Sequence, residues 1–220
     1  MKDLLHRLDF VYKKPKHVPG KLDSHKQKEF VAEYEKLLKT KGANDPVYFF
    51  DACHPQPNSI PAYGWIRRGT DKLLPSNGSR KRVNIHGALN IHTRETVVEF
   101  ALSVTKESTL RLCRRLLKKH PLSKYIPIWL DGASYYTSPW LREKLKGTRI
   151  VVHALPSYSP NLNLIERLWK FFKKEVLYNR YYAKFSDFVK ACKSFFRCRT
   201  KYKEELRTLL TENFHLYENK

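Results

Sequence analysis

The chain has no long apolar segment and no recognisable leader. None of its apolar runs approaches the ~18–20 residues that cross a membrane. The segment 1–7, MKDLLHR, lacks the apolar core and the small-residue cleavage site of a signal peptide. We therefore expect a soluble protein of the cytoplasm, with no membrane partner.

Cysteine is scarce, and its spacing is uninformative. The four cysteines, Cys53, Cys113, Cys192 and Cys198, form no C-x-x-C pair. This spacing favours buried thiols over a disulfide framework or a cysteine zinc site.

Acidic residues are few compared with basic ones. The 43 Lys and Arg residues face 21 Asp and Glu residues, which gives a formal net charge of +22. Self-repulsion from such a charge destabilises a compact enzyme, whereas a polyanion neutralises it and gains affinity by counterion release. The charge therefore favours nucleic acid as a partner, with solubility alone as the simpler alternative.

Apolar periodicity predicts an α/β domain. Strands are predicted at 47–51, 83–89, 96–102, 126–131 and 149–155, and helices at 24–38, 108–119, 138–145, 164–178 and within 186–210. Three early strands followed by alternating strands and helices indicate one mixed five-stranded sheet flanked by helices. Residues 54–81, between the first two strands, are predicted to be irregular. This order is compatible with a ribonuclease H-like fold.

The first 42 residues are predicted to precede the main domain, 43–220. Residues 12–21 are basic and contain two prolines without periodicity, which indicates an extended linker. The amphipathic helix predicted at 24–38 leads from this linker into the main domain.

Two aspartates come at the ends of predicted strands. Asp51 closes one apolar run, and Asp131 closes another and is followed by the small residues 132–134. Ligands gather at the carboxyl ends of strands in sheets with parallel crossovers, so both carboxylates are candidates for a site. Either one alone is as well explained as the cap of a turn.

A third carboxylate, Glu166, begins the helix predicted at 164–178. Two ordinary explanations compete: a capping box with Asn163 and a surface ion pair with Lys170. The combination with Asp51 and Asp131 favours chemistry, because clustered acids repel one another unless a cation holds them. Mg²⁺ prefers such oxygen ligands, and two ions can serve an in-line phosphoryl displacement.

Three segments resemble a known family: the end of the first strand (49–51, FFD), the second aspartate's strand (129–133, WLDGA) and the run 156–169, PSYSPNLNLIERLW. They are similar to DDE transposases of the bacterial insertion-sequence (six-thirty type) branch of the mariner superfamily. The 34 residues between Asp131 and Glu166 match the spacing of that branch. The resemblance extends over nearly the whole chain.

The resemblance implies a ribonuclease H-like catalytic domain with Asp51, Asp131 and Glu166 as catalytic metal ligands. It also implies two Mg²⁺ or Mn²⁺ ions, cleavage at transposon ends and attack of the freed 3′-hydroxyl on target DNA. Such enzymes usually work as dimers, and residues 54–81 occupy the place of a segment that clamps the partner subunit. The expected location is the bacterial nucleoid.

The chain departs from the family pattern in two places. Residues 4–21 resemble the end of a helix-turn-helix region and its linker, so the part that reads the terminal repeats is expected to be missing, or supplied by a separate chain. Tyr136 stands where relatives often have histidine, which leaves any positioning role there open.

Basic side chains are the candidates for contacts with DNA. The stripe formed by Lys190, Lys193 and Arg197 fits a phosphate track and a solvated helix face equally well. The full candidate set is Arg67, Arg68, Lys170, Lys173, Lys190, Lys193 and Arg197.

We expect a DDE-type transposase catalytic domain, a metal-dependent enzyme that cleaves DNA and transfers strands. Two alternatives remain open: a catalytically inactive DNA-binding remnant, and a structure-selective nuclease on the same fold.

Overall fold

A mixed five-stranded sheet forms the centre of the computed structural model, which describes residues 2–12, 18–76 and 78–217. The strands are β1 (Tyr48–Cys53), β2 (Asn84–Asn90), β3 (Thr96–Ala101), β4 (Ile126–Leu130) and β5 (Ile150–Ala154). Their spatial order is β3-β2-β1-β4-β5. The pairs β1–β2 and β2–β3 are antiparallel, and β1–β4 and β4–β5 are parallel. The predicted mixed sheet is confirmed.

Helices cover both faces of this sheet. In the described part of the chain they are α1 (Lys2–Arg7), α2 (Ser24–Thr40), α3 (Lys106–Lys119), α4 (Ser134–Thr137), α5 (Pro139–Leu145), α6 (Ile165–Leu177), α7 (Phe185–Arg197) and α8 (Lys203–Leu209), with 3₁₀ turns at Pro160–Leu162 and Arg199–Tyr202. None of the described helices is long and apolar enough to span a bilayer.

Alternation along β1 divides the core into two layers, because successive strand residues point to opposite faces. Phe49 and Cys53 pack in the layer that contains α6. Tyr48 and Phe50 pack in the layer that contains α3. Asp51 has the parity of Phe49 and Cys53, so its side chain is on the α6 face.

Most element boundaries differ from the sequence prediction by one or two residues, and two of these differences have a clear cause. Strand β1 continues past Asp51 to Cys53, because its antiparallel pairing with β2 extends to Cys53 and Ile85. Helix α3 begins at Lys106 rather than Ser108: Thr105 is the N-cap, and Ser108 completes the capping box as the third residue of the helix.

The amphipathic helix predicted before the main domain is α2, and it packs into the same core. Phe30 makes an edge contact with Trp129, with ring centroids 4.8 Å apart. Tyr34 is also buried, 1% exposed. The predicted basic linker includes residues 13–17, which lie outside the described residues.

All four cysteines are free thiols. Cys53, Cys113 and Cys192 are buried as expected, but Cys198 is exposed. Cys198 follows the last residue of α7, where the chain turns at the surface.

Candidate active site

Asp51 is held on the central strand β1, facing α6. It is 8% exposed. The indole Nε1 of Trp169 donates a hydrogen bond to Asp51 Oδ2 over 3.0 Å. In the antiparallel pair with β2, Asp51 is opposite Gly87. The side chain is therefore buried beside the helix that carries Glu166.

Asp131 follows the neighbouring parallel strand. The register of β1 and β4 pairs Phe49 with Trp129, and two further steps along both strands reach Asp51 and Asp131. Parallel pairing thus brings the two carboxylates to one end of the sheet. Asp131 Oδ1 accepts a hydrogen bond from the main-chain N–H of Ala133 over 2.9 Å. The expected turn cap is present, and it occupies one of the two carboxylate oxygens.

Glu166 is in the first turn of α6 and is half-buried. Asp131, Asn163 and Glu166 line one cleft of about 400 Å³ beside residues 155–160. The capping box proposed for Asn163 does not form. Asn163 donates instead from Nδ2 to the main-chain oxygen of Phe50 over 3.0 Å. Leu164 is the N-cap of the helix, without a side-chain cap.

Burial and the two acidic neighbours of Asp51 affect its ionisation. Burial and the neighbouring charge of Glu166 raise the pKa of Asp51 to about 8, with a smaller contribution from Asp131. Among the described residues no lysine or arginine forms an ion pair with any of the three, so the proposed Glu166–Lys170 pair is not present there. Uncompensated acidic groups in a chain of charge +22 form a site suited to a cation.

The donor chemistry of the site fits a hard divalent cation. Carboxylate oxygens are the ligands that Mg²⁺ and Mn²⁺ prefer. The amide Oδ1 of Asn163, in the wall of the cleft, is buried and has no hydrogen-bond partner within the described residues. As arranged in the part of the chain that is described, no three His, Cys, Asp or Glu side chains are close enough to form a complete ligand set.

The basic residues proposed to contact DNA are all at the surface. Lys170 and Lys173 extend from α6, which also carries Glu166. Lys190 is 3.6 Å from Asp187, and Lys193 lies over the ring of Phe100. The exposed side chains are Arg67, Arg68, Lys170, Lys173, Lys190, Lys193 and Arg197.

Tyr136 is buried, 2% exposed, in the core layer that contains α3. Its hydroxyl is 2.9 Å from His86 Nε2, and His86 Nδ1 is 3.3 Å from Ser108 Oγ. This chain of contacts ties the helix after Asp131 to strand β2.

The chain is similar to known protein families and to solved structures. Residues 46–189 match the family described as DDE superfamily endonuclease, and residues 1–34 match the winged helix-turn helix family. The insertion element IS630 uncharacterized 39 kDa protein of Shigella sonnei is 29% identical over 152 residues, 67% of this chain and 43% of that protein. The aligned region is thus less than half of that relative.

Solved structures share the fold at low identity. The Mos1 transposase paired-end complex with left transposon end has a TM-score of 0.70 and 16% identity, over 99% of this chain and 70% of that one. The Mos1 mariner paired-end complex with Mn has a TM-score of 0.69 and 15% identity, over 99% and 71%. The catalytic domain of Mos1 mariner transposase has a TM-score of 0.59 and 13% identity, over 88% and 92%.

These likenesses confirm the ribonuclease H-like fold of transposase catalytic domains. The match at residues 46–189 covers more than half of the chain and includes β1 to β5, Asp51, Asp131 and Glu166. The chain belongs to the DDE superfamily endonuclease family.

Proposed function

We propose that this chain is the catalytic part of a transposase that cleaves DNA at the ends of an insertion element and joins those ends to target DNA. The observation that carries the proposal is the placement of Asp131 and Glu166 in one cleft beside the buried Asp51, with no basic partner in the described residues. An acidic cleft in a strongly basic chain suits phosphate chemistry that depends on a cation.

Asp51, Asp131 and Glu166 would hold two Mg²⁺ or Mn²⁺ ions. When bound, such ions activate a nucleophilic oxygen and stabilise the leaving oxygen of an in-line phosphoryl displacement. One carboxylate oxygen of Asp131 accepts a hydrogen bond from the main-chain N–H of Ala133, which fixes the orientation of the carboxylate. Asn163 fixes the start of α6 against β1 and so sets the position of Glu166.

The proposed reaction has two balanced displacements. In the first, water attacks a phosphodiester at the end of the element; a phosphorus–oxygen bond forms, another breaks, and a 3′-hydroxyl is released. In the second, this hydroxyl loses its proton and attacks a phosphodiester of the target. One phosphorus–oxygen bond again replaces another, so the transfer needs no external energy source.

The DNA backbone would be held by exposed basic residues. Lys170 and Lys173, one and two turns after Glu166 on α6, are the nearest along the chain to the proposed chemistry. The more distant candidates are Arg67, Arg68, Lys190, Lys193 and Arg197.

The proposed assembly is a homodimer that holds two transposon ends. Residues 54–76 and 78–81 are largely irregular and have exposed apolar side chains, including Tyr63, Trp65 and Leu73. Such side chains are suited to contact with a second subunit. Recognition of the terminal repeats would come from a helix-turn-helix region of which residues 1–34 resemble a part. In a bacterial cell the enzyme would act at the nucleoid.

The proposal is tested by nicking of DNA that carries the element's ends, in the presence of Mg²⁺. Wild-type protein should release 3′-hydroxyl ends, and Asp131→Asn should lose most of that activity, because a metal ligand is removed while the side-chain volume is kept. Salt-dependent DNA binding without cleavage would favour the inactive remnant. Cleavage of branched DNA without strand transfer would favour the structure-selective nuclease.

A further inference from the structure

One tryptophan connects the two sides of the candidate site. Trp169 is three residues after Glu166 on α6, and its Nε1 donates to Asp51 Oδ2 over 3.0 Å. Trp169 is 2% exposed and Asp51 is 8% exposed. The helix that carries one proposed metal ligand therefore also holds a carboxylate oxygen of another.

A glycine makes this contact possible. Gly87 is opposite Asp51 on β2. A Cβ atom at position 87 would be 2.6 Å from Cη2 and 2.8 Å from Cζ2 of Trp169, and 3.2 Å from Cδ1 of Ile165. Any side chain here would push the indole away from its present position. Glycine is needed at position 87 because α6 packs closely against β2 there, and not because of the backbone conformation.

The hydrogen bond is not a general requirement of buried tryptophan in this core. Trp129 is 0% exposed, and its Nε1 has no hydrogen-bond partner within the described residues. Trp129 is thus a natural internal comparison for Trp169: the two rings are similarly buried, and only one directs its N–H to a carboxylate.

We propose that Trp169 is a positioning residue that orients Asp51 for metal binding, with Gly87 providing the space that its indole occupies. The inference rests on the proposed function to the extent that Asp51 is a metal ligand there. Hydrogen bonds to a ligating carboxylate fix its rotamer before the ion arrives, so less freedom is lost on binding. Trp169 itself does not touch the ion or the DNA in this role.

The test measures Mn²⁺ affinity by electron paramagnetic resonance, with the full chain and without DNA. Trp169→Phe keeps an aromatic ring and removes the donor, and we expect about 10-fold weaker binding, as found for groups that support metal ligands. Trp129→Phe is the matched control. It creates a similar cavity without removing a hydrogen bond, and its Mn²⁺ affinity should stay within about 2-fold of wild type.

A double variant separates the hydrogen bond from packing. In Gly87→Ala the new methyl group collides with the indole, whereas in Gly87→Ala with Trp169→Phe it enters the space that the benzo ring leaves. We expect the double variant to unfold at a higher denaturant concentration than Gly87→Ala alone, while its Mn²⁺ binding remains about 10-fold weaker than wild type. Recovery of Mn²⁺ affinity together with stability would overturn the positioning role, as would unchanged affinity in Trp169→Phe.

The outcomes distinguish this inference from the proposed function. If Asp51→Asn abolishes DNA cleavage while Trp169→Phe binds Mn²⁺ and cleaves as wild type does, the inference fails and the function stands. If the Mn²⁺ affinities of wild type, Trp129→Phe and Trp169→Phe follow the predicted order but wild type cleaves no DNA, the function fails and the inference stands. Equal Mn²⁺ affinity in wild type and Asp51→Asn overturns the inference, because Asp51 then holds no metal.

Discussion

The side chain of Asn163 is bonded to the main chain of Phe50: Nδ2 donates to the carbonyl oxygen over 3.0 Å, in a buried position. Phe50 immediately precedes Asp51, and Asn163 is three residues before Glu166. One hydrogen bond therefore fixes the distance between the strand that carries the first carboxylate and the helix that carries the third. The relative position of these two groups depends on this contact as well as on general packing.

Replacing Asn163 by alanine should slow DNA cleavage and also lower the free energy of unfolding. We expect a loss of ~10- to 100-fold in rate, as for groups that support ligands, and a decrease of ~1–2 kcal/mol in the free energy of unfolding. The measurements are single-turnover cleavage and urea unfolding. Asn161→Ala is the control, because Asn161 makes two hydrogen bonds, to Gln27 and to the main chain of His215, from the same turn. Equal rate losses in both variants would contradict a specific role for Asn163.

Strand and helix periodicity was sufficient to predict the sheet and its mixed topology. Apolar residues that alternate along the chain indicate strands, and apolar residues that recur at helical spacing indicate helices. The order of these elements along the chain then restricts which strands can pair. The position of Asp51 was less accurately predicted, because β1 extends to Cys53 through pairing with β2 that no local signal reveals.

The supporting residues of the site were harder to find than the carboxylates. Asn163 and Glu166 have the spacing of a capping box, but the side chain of Asn163 instead donates a long-range hydrogen bond to the main-chain oxygen of Phe50. Trp169 belongs to the apolar stripe of α6 and has no sequence feature that distinguishes its N–H from that of Trp129. The need for glycine at position 87 depends on a helix that packs across the strand, about 80 residues later in the chain.

Protonation of the buried His86 should lower stability in acid. Burial lowers the pKa of His86 to about 4, from an ordinary value of 6.5. Between these values the unfolded chain binds the proton and the folded chain does not, so stability falls as pH decreases from 6.5 to 4, by about 3 kcal/mol in total. Urea unfolding at a series of pH values checks this in an Asp51→Asn background, which removes an opposing contribution. A slope that His86→Gln leaves undiminished in this background would contradict the assignment.

Asp51 should have the opposite effect on stability. Its folded pKa is raised to about 8, above an ordinary value of 3.8, so the folded chain binds the proton more tightly than the unfolded one. Stability without metal therefore falls as pH rises from about 4 to about 8. Between pH 6.5 and 8, where His86 no longer contributes, Asp51→Asn should flatten the profile measured in a chelator. A profile that is unchanged by this substitution would contradict the raised pKa of Asp51, which burial and the charge of Glu166 produce.

Phosphate contacts at Lys170 and Lys173 should be visible in the salt dependence of DNA binding. Each alanine substitution should reduce the slope of log affinity against log salt by about 1, independent of DNA sequence. Lys36→Ala is the control. Lys36 lines a groove with Pro127 and Val151, near the start of β4 and β5, whereas the acidic cleft is at the other end of these strands. Equal slopes for all three variants would exclude α6 as a path for the DNA backbone.

The central claim is that Asp51, Asp131 and Glu166 share divalent ions. Its most direct test is anomalous diffraction from crystals soaked in Mn²⁺, since the ion is located without reference to activity. The account predicts anomalous peaks between the three carboxyl groups, with ions ~4 Å apart, and their loss in Asp131→Asn. Peaks only elsewhere on the chain, or none in a wild-type crystal that diffracts equally well, would contradict it.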